Sequence, residues 1–130
     1  MPHLIVEYTD NLPDPRMPAL LRALNGVLLA RQDVYPPGGI RARAVRLTEY
    51  LVADGTHDDA FVHVTLKIAA GRSDAVKRDT GEALFGVLKA HFEADFGTRF
   101  LALSLDITEF SGAGTFKHNN IHARYRQERA

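Results

Sequence analysis

The chain has 130 residues, enough for one domain with a real core, and its 45% hydrophobic and 25% charged content is ordinary for a globular protein in water. Lys and Arg number 16, as do Asp and Glu, so net charge favours neither nucleic acid nor an anionic membrane as a partner. The absence of cysteine excludes disulfides, thiol nucleophiles and thiolate metal sites, and it suits a cytosolic protein.

The start, MPHLIVEY, has no basic flank and no long apolar run, so it is not read as a signal peptide. No stretch is apolar enough for long enough to span a bilayer, and the expected location is the cytoplasm. His3 to Tyr8 reads as a strand, broken by the turn residues of DNLPDP. Met17, Leu20, Leu21, Leu24, Val27 and Leu28 then recur at helical spacing and predict an amphipathic helix. YPPGG ends it, and a second strand is expected within IRARAVRLTEYLV. ADGTHDD is a polar loop carrying an Asp-Gly turn signal.

Phe61 to Ala70 is the clearest strand, with Val62, Val64, Leu66 and Ile68 on one face and Phe61, His63, Thr65 and Lys67 on the other. Ser73 is expected to cap a second helix, with Leu84, Phe85, Leu88 and Phe92 as its apolar stripe and Gly97 as its C-cap. Phe100 to Glu109 reads as the fourth strand, and a short strand or turn is expected around Phe116 to Tyr125. The expected fold is α/β (α+β): two tandem β-α-β units, about 1–52 and 60–110, form a four-stranded mixed sheet with two helices on one face, followed by a tail, 111–130. The other sheet face would carry Arg41, Arg43, His63, Thr65, Lys67, Ser104 and Asp106, a mixture that suits burial against further subunits.

The chemistry is expected where the strands begin. Pro2 heads the first strand and Arg41 nearly heads the second; Arg43 shares the face of Arg41. If the two units run antiparallel to each other, Arg72 at the start of the second helix returns to the same edge. An amine and three guanidinium groups would then make an anion site, because guanidinium forks match carboxylates and a helix N-terminus adds N–H donors. With Met1 removed, Pro2 offers a secondary amine whose proton affinity the cations lower toward neutrality, which suits proton transfer. With Met1 in place, Pro2 is merely the first residue of a strand. Arg46, Arg78 and Arg99 read as surface ion-pair residues. The histidines of HNNIH are four apart but lack a third ligand, so no metal site is expected. His57 with Asp58 and Asp59 reads as a polar loop, His63 as a satisfied interface residue, and GAG at 112–114 as no phosphate loop.

MPHLIVEYTDN, GIRARAV, HDDAFVHVTLKIAAGRS and FKHNNIHA together resemble the 5-carboxymethyl-2-hydroxymuconate isomerase family of the tautomerase superfamily, from Pro2 to about His122. That resemblance implies a homotrimer with its sheets inward, an amino-terminal proline as base at Pro2, and anion-binding arginines at Arg41, Arg43 and Arg72. It also implies a cofactor-free enol-to-keto conversion of a polycarboxylate dienol in homoprotocatechuate breakdown. Where smaller tautomerases place a further arginine, Leu12 stands here, so Arg16 is given no role. Two alternatives remain open from the residues: a tautomerase of a smaller keto-enol acid such as a phenylpyruvate-like compound, and a non-catalytic trimeric binding protein on the same scaffold.

Overall fold

The computed structural model describes residues 1–129, with side chains to Arg126. β1 (His3–Thr9), α1 (Met17–Leu29) and β2 (Arg41–Leu47) form the first unit, with a 3₁₀ turn at Pro37–Gly39 before β2. β3 (Ala60–Ala69), α2 (Asp74–His91), α3 (Glu93–Thr98) and β4 (Leu101–Phe110) form the second, and α4 (Ile121–Arg129) follows.

The sheet order is β2-β1-β3-β4. β1 pairs parallel with β2, and β3 parallel with β4, as a crossover helix in each unit demands. β1 and β3 run antiparallel, with His3 opposite Lys67 and Tyr8 opposite Val62. The start of β1, the start of β2 and the end of β3 therefore lie at one edge.

One sheet face makes the core. Leu4 and Val6 of β1, and Val62, Val64, Leu66 and Ile68 of β3, are fully buried against Leu20, Leu24 and Leu28 of α1 and Leu84 and Leu88 of α2. Each such side chain contributes roughly 1.5–3 kcal/mol through burial. The loop after α1 is tied to α2 by a buried hydrogen bond between Tyr35 Oη and Thr80 Oγ1, 2.8 Å apart. Ser73 caps α2 as expected, its hydroxyl accepting from the Val76 N–H at 3.2 Å.

Three expectations need correction. Gly97 is not a cap: it lies inside α3, which ends at the extended residue Arg99. The helical stretch instead breaks at Phe92, where φ of −105° and ψ of 18° separate α2 from α3 and turn the ring into the core. The tail is not a strand or turn but α4. Its sequence, IHARYRQER, has no apolar stripe, so periodicity is silent; it is held by docking on the Pro37–Gly39 turn. β2 is also shorter than IRARAVRLTEYLV: it ends at Leu47, whose carbonyl accepts from the Asp10 N–H at 3.0 Å, and the chain bends away at Thr48 and Glu49.

Candidate active site

Pro2 is buried, and its carbonyl accepts a hydrogen bond from the Arg41 N–H at 2.9 Å, so the first parallel rung of the sheet begins at the chain's second residue. The Pro37–Gly39 turn delivers Arg41 to that point. Nη1 of Arg41 donates to the carbonyls of Gly38, at 3.0 Å, and Ile40, at 2.9 Å, which folds the guanidinium back over the turn.

Arg72 arrives from the end of β3 on the left-handed Gly71, whose φ of 114° a side chain would rarely adopt. Its Nη1 donates to Ala69 O at 3.1 Å and its Nη2 to Val34 O at 2.8 Å. The guanidinium carbon lies 5.2 Å from the centre of the Tyr35 ring, a cation–π contact. Carbonyls and a ring orient this charge without neutralising it.

Arg43 sits one rung along the same face, with Nη1 3.0 Å from Nδ1 of His3. The structure thus groups Arg41 and Arg72 at the chain terminus and sets Arg43 against His3. Burial, then the field of Arg43, holds the His3 imidazole below its ordinary proton affinity. Among the described residues no carboxylate forms an ion pair with Arg41, Arg43 or Arg72.

The terminal amine of Met1 is likewise held below its ordinary value, first by burial, then by Lys117, Arg72 and Arg41. Lys117 was not among the residues expected here. It comes from the segment before α4, which is pinned where Asn119 Nδ2 donates to Gly38 O at 2.9 Å. Only the motif FKHNNIHA pointed to this segment, and its spacing alone assigned it no role. No group of metal-binding side chains is found among the described residues.

The remaining candidates fall elsewhere. Arg99 braces loops, donating to Asn11 O at 2.7 Å and Asp58 O at 2.8 Å, with the Asp58 carboxylate 3.6 Å away. Arg46 and Arg78 form no ion pair among the described residues. His63 bonds Ser104 Oγ at 2.7 Å and also meets Asp106 at 3.5 Å. An apolar hollow of about 490 Å³ lined by Phe85, Lys89, Phe96 and Leu103 lies towards the far end of β1, since Leu103 pairs with Val62 and Val62 with Tyr8.

Two β-α-β units joined antiparallel in a four-stranded mixed sheet make the tautomerase fold. A fused 4-OT protein solved as a symmetric trimer shares it, with a TM-score of 0.62 at 17% identity over 89% of this chain and 93% of that one. Within that fold, the chain belongs to the 5-carboxymethyl-2-hydroxymuconate isomerase family, whose model matches residues 2–125. It is 43% identical over 127 residues to the Escherichia coli 5-carboxymethyl-2-hydroxymuconate Delta-isomerase, spanning 97% of this chain and 100% of that protein. It is 65% identical to a 5-carboxymethyl-2-hydroxymuconate isomerase from Deinococcus radiodurans R1, whose crystal structure gives a TM-score of 0.94 over 96% of this chain and 94% of that one.

Proposed function

We propose that this chain is a cofactor-independent isomerase of 5-carboxymethyl-2-hydroxymuconate, acting in the cytoplasm as a homotrimer in homoprotocatechuate degradation. Pro2, freed by loss of Met1, is its base. The secondary amine takes the proton of the 2-hydroxyl group and delivers it to the distal carbon of the conjugated dienol, so the substrate leaves as its keto isomer with no net gain of protons. Arg41 and Arg72 hold carboxylates and favour the negative charge that builds on the dienolate oxygen; Arg43 binds further along the same face.

The observation that carries this reading is the convergence of Arg41, Arg72 and Lys117 on a half-buried chain terminus, with no acidic partner for either arginine among the described residues. Clustered cations destabilise a fold unless something anionic answers them. Several cations also favour a polycarboxylate over a monocarboxylic enol.

An ultraviolet assay of dienol loss tests it, with the tricarboxylic substrate and a phenylpyruvate-type enol run side by side. Chain lacking Met1, verified by intact mass, should turn over the tricarboxylate with the higher kcat/KM. Chain retaining Met1 should be nearly inactive, because an amide nitrogen has no basic lone pair. Preference for the monocarboxylic enol would move the substrate class. Equal activity with and without Met1 would remove Pro2 from the mechanism.

A further inference from the structure

Met1 marks, in the unprocessed chain, the space in front of the Pro2 nitrogen. Its Cα is two bonds from that nitrogen, so whatever packs on Met1 faces whatever takes its place once it is cleaved. A Cβ built on Gly39 would lie 3.5 Å from Met1 Cα, 3.4 Å from His122 Cε1 and 3.7 Å from His122 Nε2. The His122 ring and the first residue therefore share one small space over a glycine.

The ring is firmly placed there. A Cβ on Gly38 would lie 2.8 Å from the Cα, N and Nδ1 of His122, so only glycine admits α4 at this distance. Asn119 fastens the same seat twice: Nδ2 donates to Gly38 O at 2.9 Å, and Oδ1 accepts from the Ile121 N–H at 2.6 Å. His122 is half-buried, and among the described residues its ring nitrogens make no hydrogen bond. A placed imidazole without a partner, beside cations without carboxylates, has hydrogen-bonding capacity to spare.

We infer that His122 is a substrate-contacting residue of this site, hydrogen-bonded through a ring nitrogen to a carboxylate or enol oxygen of the bound dienol. The inference rests on the proposed isomerase reading and adds a recognition group that neither the N-terminal strand nor the arginines supply. It also explains the first glycine of YPPGG: Gly38 lets α4 close on the site.

The test uses the full chain with Met1 removed. His122→Phe keeps a ring of similar shape without nitrogens; His122→Asn keeps a donor and an acceptor. Circular dichroism and sedimentation should match the parent for both. His122→Phe should raise KM for the tricarboxylic dienol by roughly 10- to 100-fold, the scale of one hydrogen bond to a charged acceptor, with kcat less affected. His122→Asn should recover part of the loss. A second readout follows the His122 ring and the Arg72 Nε–H by NMR while propane-1,2,3-tricarboxylate, a non-reacting probe, is added. Shifts at both support the inference. An active parent, or a shifting Arg72, together with an unchanged His122→Phe and a silent His122 ring, would overturn it and leave the isomerase reading standing. An inactive parent with neither resonance moving would overturn both.

Discussion

Arg41, Arg43 and Arg72 carry equal charges in unequal settings. Arg41 and Arg72 are tied to backbone carbonyls beside the chain terminus, whereas Arg43 leans on His3 one rung away. Arg41→Ala and Arg72→Ala should therefore each lower kcat/KM by roughly 10²–10³-fold, the usual loss when a group that stabilises developing charge is removed. Arg43→Ala should act mainly on KM, as steady-state kinetics on the tricarboxylate would show. The proposed Pro2 base would set the pH dependence. The surroundings that hold the Met1 amine below its ordinary value would act on the Pro2 amine, one residue deeper, in the same direction. Only the free base accepts a proton, so kcat/KM should rise with pH through an apparent pKa below ~8, the ordinary value for a chain terminus. Pro2→Ala, still processed, should lose roughly 10²–10⁴-fold. A profile flat from pH 5 to 9 would mean that no such amine takes part. That Pro2, Arg41, Arg43 and Arg72 lie towards one end of the sheet was legible in the sequence, because strand alternation and crossover topology fix where strand starts meet. Lys117 and His122 were not. Their place depends on a contact between residues more than 80 positions apart, and no local pattern encodes it.

At the scale of elements, those with an apolar stripe could be read and those without one could not. α1 and β3 were legible because Leu20, Leu24 and Leu28, and Val62 to Ile68, bury one face at the right period. α4 was invisible because it lacks an apolar stripe and is held by its seat on the Pro37–Gly39 turn. The break at Phe92 was hidden as well, since the apolar stripe runs up to Phe92 and Gly97 drew attention to the wrong residue. Two substitutions separate these kinds of support. Ser73→Ala removes the cap of α2 and should cost about 1 kcal/mol in urea unfolding, with activity retained. Asn119→Ala should do the reverse: little change in the unfolding midpoint of the core, but a clear loss of activity as the α4 seat loosens. If Asn119→Ala leaves turnover of the tricarboxylate unchanged, α4 plays no part in the site.

At the scale of the whole molecule, both helix layers pack on one face of the sheet, and the chain itself leaves the other uncovered. That face carries Arg43, His63, Lys67 and Asp106 among Ile5, Phe61 and Val45, and Val45 is 41% exposed. Sheets with parallel pairs are seldom left bare on one side, which supports the proposed trimer. Sedimentation equilibrium should give a trimer in dilute solution. Val45→Asp should shift the mass towards monomer while far-ultraviolet circular dichroism stays unchanged, because the buried core lies on the other side. A fully active monomer would sink the inward-facing sheet. The seat of α4 on Gly38 also joins residues far apart in the chain: Met1 and the His122 ring meet over one turn, so loosening α4 would be felt at the start of β1.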